Sequence, residues 1–176
     1  MNQKTFEEFN SVPGFTFEYY SSDDSFYLSP SEDRLEEYIV DRSAVWPAIE
    51  GADGQMMFEI GLMHFPKDDE IIAGVFFMVD GKPFEHTVNP EYASAGMLNL
   101  PLGIVGTSLV ESIISAKGDV RVSLYYKSGN VDFLMTDAQI GGLKNLFSAF
   151  ENVGGYEENN VNAIYIDMQW PIAIEW

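Results

Sequence analysis

The stretch VRVSLYYKSGNVDFLM, residues 120–135, is the clearest indication of the fold, because it contains two alternating segments and a turn. Apolar and polar side chains alternate on both sides of Ser128-Gly129-Asn130, which is the period-two pattern of half-buried strands joined by a tight connection. One face of the first segment is apolar throughout and consists of Val120, Val122, Leu124 and Tyr126. The stretch predicts an antiparallel hairpin with one face in a core.

Helices are predicted on both sides of this hairpin. Before it, apolar side chains recur at helical spacing over about residues 104–116, and Gly118 follows just past the end. After it, Thr136 and Gln139 have the spacing of a capping box, which predicts a second helix that ends at Gly154-Gly155.

The middle of the chain predicts strands. Met56–Phe65 and Ile71–Val79 are apolar at successive positions, as expected of central strands covered on both faces. Pro66–Asp69 is interpreted as the turn between them. Asp80-Gly81, a pair that tolerates positive φ, leads into a third strand at Lys82–Val88. We expect these three strands to form a meander.

The two ends of the chain are also patterned. The N-terminal region predicts a short helix at residues 5–10 and a hairpin that turns at Ser21–Asp24. Ser29-Pro30-Ser31-Glu32 combines a cap, a proline at the first helical position and a reciprocal glutamate, and predicts an α-helix that runs to about Arg42. Residues 98–102 and the alternating residues 162–176 are interpreted as further strands.

Strands joined mainly by turns predict an α+β fold, mainly an antiparallel sheet or sandwich with two to three packed helices. Residues 1–176 are interpreted as a single domain with three portions. These are an acidic, aromatic-rich portion (about 1–50), a β-meander and helix–hairpin–helix core (about 55–155), and C-terminal strands (about 161–176).

The composition excludes several classes of function. The 176 residues include no cysteine, which excludes disulfides, thiolate nucleophiles and Cys-ligated metal sites. The net charge of −19 repels bare polyanions, so we expect no direct binding to nucleic acid or to an anionic membrane. No apolar run approaches the roughly 20 residues of a membrane helix, and no secretory signal is visible, so the expected location is the cytoplasm. No complete cofactor motif is present, and no cofactor is expected.

The region from about residue 75 to residue 150 is similar to a known family. It contains Phe76–Phe84 with its internal Asp-Gly turn, then Leu98–Leu102, a helix, a hairpin that ends in Val131–Met135, and Ile140–Leu143 at the start of a second helix. This order resembles the invasion-associated locus B-like periplasmic β-sandwiches and secretion-associated accessory domains of related layout. The resemblance implies a β-sandwich with packed helices.

The negative charge is concentrated in the first half of the chain. Residues 1–88 carry 18 acids and 5 bases, and between Glu18 and Asp41 eight acids stand against Arg34 alone. Acids one helical turn apart present carboxylates at a spacing comparable to that of nucleic-acid phosphates. We therefore hypothesise a non-enzymatic inhibitor, immunity or anti-defence protein that occupies a basic surface of a partner, such as a nuclease or another nucleic-acid-binding protein. The predicted contact residues are Asp33, Glu36, Glu37 and Asp41 for steering, and Tyr19, Tyr20 and Tyr38 as aromatic anchors.

Three other interpretations stay open. The acids form only a solvated face, which serves solubility or adaptation to salt. Alternatively, the protein is a structural or assembly module, of a virion or a secretion apparatus, that oligomerises through its sheet and offers Trp170–Trp176 as an edge strand. The third alternative is a small enzyme or metal site that uses His64 or His86 with a neighbouring carboxylate.

Overall fold

The computed structural model describes residues 3–52, 55–65, 70–88, 93–102 and 106–155. The helices in these ranges are α1 (Gln3–Asn10), α2 (Thr107–Ile114), α3 (Asp137–Asn152) and a 3₁₀ helix at Glu32–Tyr38. The strands are β1 (Phe15–Tyr20), β2 (Ser25–Pro30), β3 (Ile39–Val40), β4 (Ser43–Ala52), β5 (Gln55–His64), β6 (Gly74–Val79), β7 (Lys82–Thr87), β8 (Ala93–Ser94), β9 (Met97–Leu102), β10 (Val120–Tyr126) and β11 (Gly129–Leu134).

The strands form two antiparallel sheets. The seven-stranded sheet has the order β1-β2-β4-β5-β9-β8, with the short strand β3 also paired to β4. The four-stranded sheet has the order β11-β10-β6-β7. The prediction of an α+β fold with antiparallel, sandwich-like sheets and packed helices is confirmed.

One face of the seven-stranded sheet, the inner face, lies at the centre of the core. Its buried side chains are Leu28, Ile49, Phe58, Ile60, Leu62, Leu98 and Leu100. Helix α3 packs on this face through Phe147 and Phe150, whose ring centroids lie 5.5 and 5.7 Å from that of Phe58. Edge-to-face ring pairs of this kind add to the stabilisation that burial provides.

The remaining elements also cover the inner face. Phe9 of α1 contacts Phe26 with ring centroids 5.6 Å apart. Leu109 of α2 and Phe77 of the four-stranded sheet line a cleft together with Leu100 and Leu102 of β9. Helices α1, α2 and α3 and the second sheet thus lie on one side of the larger sheet, and the opposite side is called the outer face.

The local signals in the second half of the chain are confirmed. Strands β10 and β11 pair from Arg121–Leu134 to Tyr126–Gly129, and the apolar side chains of β10 are buried. The connecting residues are Lys127 and Ser128, one position earlier than the pattern suggested. Helix α3 begins with the predicted capping box, in which Thr136 Oγ1 accepts from Gln139 N and Gln139 Oε1 accepts from Thr136 N.

The predicted meander is partly wrong. Strands β6 and β7 pair through the Asp80-Gly81 turn, where both residues have positive φ. Strand β5, however, pairs with β4 and β9, and β6 belongs to the other sheet. An apolar run indicates that a strand is central but not which strands flank it, because pairing is chosen between segments distant in sequence. The predicted turn at 66–69 lies outside the described residues.

The α-helix predicted from a cap at Ser29 to about Arg42 is wrong. Ser29 and Pro30 belong to β2, and residues 32–38 form a 3₁₀ helix whose N-cap residue, Ser31, makes no capping hydrogen bond with its side chain. The next two residues pair with β4 as β3, so the helix ends at Tyr38 instead of near Arg42. Short connectors between strands often take the 3₁₀ form, and the pairing of β3 with β4 prevents a longer helix here.

Other boundaries also differ from the prediction. Helix α1 begins at Gln3, so Thr5 lies within it rather than at its cap. Helix α2 is described from Thr107, and β6 begins at Gly74 instead of Ile71. The predicted C-terminal strands at 162–176 lie outside the described residues.

Candidate functional site

The acidic N-terminal portion forms a groove at the β1 end of the larger sheet. Its lining residues come from β1, β2 and the 3₁₀ helix, and are Thr16, Glu18, Ser29, Pro30, Ser31, Glu32 and Asp33. Strand alternation directs Thr16 and Glu18 away from the core, whereas Phe17 between them packs on Phe26. The groove therefore continues onto the outer face and carries three carboxylates.

Among the predicted steering acids, Asp33 lines this groove, and the four acids have different surroundings. Asp33 and Glu36 are exposed, and their separation of three residues places them on one edge of a 3₁₀ helix. Glu37 forms an ion pair with Arg34, with 2.7 Å between Oε1 and Nε. Asp41 lies in the turn before β4, with φ of 44°. Asp33 and Glu36 are thus better placed for steering than Glu37, whose charge is locally balanced.

The predicted aromatic anchors do not share one surface. Tyr19 and Tyr20 are 42% and 50% exposed, but successive strand residues point to opposite faces. The Tyr20 hydroxyl donates to Glu18 Oε2 at 2.6 Å on the groove side. The Tyr19 hydroxyl donates to Asp24 Oδ1 at 2.7 Å on the other side. These hydrogen bonds raise the pKa of both phenols, so each holds its proton and orients a carboxylate.

The prediction that Tyr38 is an exposed anchor is wrong. Its side chain is 6% exposed and packs on Gly142 of α3. The buried Gln139 side chain donates from Nε2 to the Tyr38 carbonyl at 2.7 Å. Tyr38 therefore joins the 3₁₀ helix to α3, which excludes it from partner contact.

The structure adds a cluster on the outer face that the sequence pattern did not identify. Cross-strand pairing places Glu18 opposite Tyr27 and Tyr27 opposite Glu50. On β5, Glu59 lies opposite Ala48 and is therefore a diagonal neighbour of both Glu50 and Trp46. We call Tyr27, Trp46, Glu50 and Glu59 the Glu50–Glu59 site.

Glu59 is the most perturbed acid of this site. Its side chain is 4% exposed, and burial, together with the neighbouring Glu50 carboxylate, raises its pKa to about 7. The Glu50 side chain is hydrogen-bonded to Glu59, whereas Glu59 Oε2 is buried and makes no hydrogen bond. A buried acceptor without a partner is costly and marks a position that a ligand group can satisfy.

Aromatic side chains enclose Glu59. The Trp46 indole lies across the backbone at Gly61, where any Cβ would overlap the ring. Trp46 is also hydrogen-bonded to the Tyr27 hydroxyl, and burial, followed by the charge of Glu59, raises the pKa of Tyr27. Tyr27 and Trp46 thus meet above Ala48 and shield Glu59 from solvent.

A sequence signal for this site did exist. Glu59 is the single charged residue in the apolar run Met56–Leu62, and Gly61 interrupts the same run. A charge inside an otherwise apolar central strand indicates either a paired or a functional group. The pattern did not reveal Glu50 and Trp46 as its neighbours, because strand register brought them together.

The two histidines occupy different sheets. His64 Nδ1 lies 2.8 Å from Ser43 Oγ on the adjacent strand. His86 is half-buried in the cleft beside Leu100 and Leu109, and burial lowers its pKa. Among the described residues, no three His, Asp or Glu side chains lie close enough together to hold a metal ion. The hypothesis of a small enzyme that uses His64 or His86 with a neighbouring carboxylate stays a prediction.

Comparisons with known proteins add no assignment. No protein-family model, curated protein or solved structure matches the chain. The resemblance to the invasion-associated locus B-like family stays a prediction. In the described part of the chain, no helix has the length and apolar character to cross a membrane.

Proposed function

We propose that the protein is a non-enzymatic acidic binding protein, of the inhibitor, immunity or anti-defence type, that occupies a basic surface of a nucleic-acid-handling partner. The observation that carries the proposal is the acidic groove, in which Glu18, Glu32 and Asp33 converge from a strand and the 3₁₀ helix. Carboxylates held together on ordered elements attract a cationic surface more selectively than the same charges spread over a chain.

The proposed mechanism has an electrostatic and a contact component. Glu32, Asp33 and Glu36 are exposed and accelerate the encounter with a basic partner. Tyr20, half exposed and oriented by Glu18, supplies an amphipathic contact beside these charges. The groove would therefore take the position that nucleic-acid phosphates take on the partner.

An affinity capture tests this function. The immobilised protein is exposed to a lysate of the cells that produce it at about 50 mM and about 500 mM NaCl, since salt screens contacts between exposed charges. The groove variant carries Glu18→Gln, Glu32→Gln, Asp33→Asn and Glu36→Gln. The matched control carries Glu111→Gln, Asp119→Asn, Asp132→Asn and Glu151→Gln, which removes the same charge from exposed positions elsewhere.

The expected result is a basic, nucleic-acid-processing protein held by the wild type and the control at low salt. The groove variant and high salt should release it, and the wild type should inhibit its activity at equimolar amounts. If the groove variant and the control hold the same amount of the basic protein, the groove acids have no special part in binding, and the groove is contradicted as the contact surface. Failure to retain any basic protein would leave the solvated-face interpretation and contradict the proposal.

A further inference from the structure

The outer face of the seven-stranded sheet carries the Glu50–Glu59 site in line with the acidic groove. Glu18, Tyr27 and Glu50 follow one another across β1, β2 and β4 in a single row. The next residue in that row is Met57 of β5, which is half-buried. A surface that receives a partner at the groove is therefore continuous with this site.

The site combines groups that suit a planar organic cation. Glu50 is exposed and reaches solvent, whereas Glu59 Oε2 is enclosed without a hydrogen-bond partner. One face of the Trp46 ring covers Gly61, so its other face points away from the sheet. Two carboxyl groups beside an aromatic plane offer both hydrogen-bond acceptors and a stacking surface.

We propose that the Glu50–Glu59 site binds the guanidinium group of an arginine side chain of the basic partner. This inference rests on the proposed function for the identity of the partner, but the site itself can be tested without that partner. A guanidinium donates several N–H groups in one plane, bridges two carboxylates and stacks on an aromatic ring, whereas an ammonium does only part of this.

Occupation requires small movements of flexible neighbours. Met57 and Met63 flank the site on β5, and both are half-buried. Methionine side chains adapt to a new contact surface at low cost. A guanidinium that approaches along Glu50 would thus reach Glu59 and supply the hydrogen bond that Oε2 lacks.

Arginine binding is coupled to the ionisation of Glu59. The groups facing Glu59 are Glu50 on β4 and Tyr27 on β2, and its partner on β9 is Pro101, which does not titrate. Glu59 accepts a cation best after it loses its proton, and its pKa is about 7. If only the ionised form binds, affinity rises about tenfold from about pH 6 to about pH 8.

Butylguanidinium titration of the full chain, followed by amide and indole NMR shifts, tests the inference. We expect saturable shifts in β4, β5 and the Trp46 indole, tighter binding at the higher pH, and weaker binding of butylammonium. Glu59→Gln should abolish the saturable response and its pH dependence. Glu111→Gln, which removes one exposed charge far along the chain, should leave both unchanged.

Several results would overturn the inference. These are shifts scattered over the acidic surface, a response that survives Glu59→Gln, or equal binding of butylammonium. Shifts of the outer-face amides on dilution alone would assign the face to a second copy of the chain. If the lysate capture succeeds and this titration fails, the arginine site is contradicted and the proposed function is not. If the titration succeeds and the capture fails, the proposed function is contradicted and a guanidinium site is established.

Discussion

At the scale of single residues, two adjacent glycines of α3 have opposite surroundings. A Cβ on Gly142 would lie 2.6 Å from Tyr38 Cε1, whereas a Cβ on Gly141 would meet no atom within 4 Å. We expect Gly142→Ala to destabilise the fold by about 1–3 kcal/mol through overpacking. Gly141→Ala should stabilise it by about 0.5–1 kcal/mol, because alanine favours the helix. Urea unfolding of the two variants measures both changes in the free energy of unfolding. Equal changes in the two variants would contradict the close contact between Gly142 and Tyr38.

Glu59 makes stability depend on pH. Its pKa rises from the ordinary 4.5 to about 7 in the fold, so the folded chain holds a proton that the unfolded chain has released. Stability therefore falls as pH rises between these values, by about 3 kcal/mol in total. Relative to the wild type, Glu59→Gln should gain stability from about pH 5 to about pH 8. The check is to measure the unfolding free energies of the two proteins across this pH range. If the two curves run parallel, the fold does not raise the pKa of Glu59.

At the scale of elements, Asp80 links the β6–β7 turn to the segment before β10. Its carboxylate accepts from Lys117 N and Gly118 N, each at 3.0 Å, and its φ is 49°. Asp80→Ala loses both hydrogen bonds and strains the turn, so we expect a loss of about 2 kcal/mol. Asp80→Asn keeps an acceptor and tolerates the positive φ, so its loss should be smaller. Thermal unfolding compares the two, and indistinguishable midpoints would mean that the hydrogen bonds contribute little.

At the scale of the whole molecule, the net charge of −19 opposes folding through repulsion among the acids. Raising NaCl from about 10 mM to about 300 mM screens this repulsion and should stabilise the fold by about 1 kcal/mol, or about 3 °C. Calorimetry at neutral pH measures the midpoint. The groove variant should gain less than the wild type, because four of the repelling charges are gone. A midpoint independent of salt would show that the acids do not repel one another appreciably.

Much of the local structure could be predicted because its causes lie within a few residues. The alternation at Val120–Tyr126, the capping box at Thr136 and the positive-φ turn at Asp80-Gly81 each depend on near neighbours. The acidic character of the N-terminal portion could also be predicted, because it follows directly from composition. The exposed acids Asp33 and Glu36 followed from that pattern, although the helix type did not.

Which residues contact one another depends on packing between segments that are distant in the sequence. Tyr38 is buried because Gly142, far along the chain, leaves room for its ring. Glu59 is buried because β4 and β2 bring Trp46 and Tyr27 over it. Local sequence signals thus predicted the β10–β11 hairpin, helix α3 and the acidic charge of this protein, since periodicity, capping and composition act locally. The tertiary structure decided strand neighbours, the face of each aromatic residue and the Glu50–Glu59 site, because burial and register arise from contacts between distant segments.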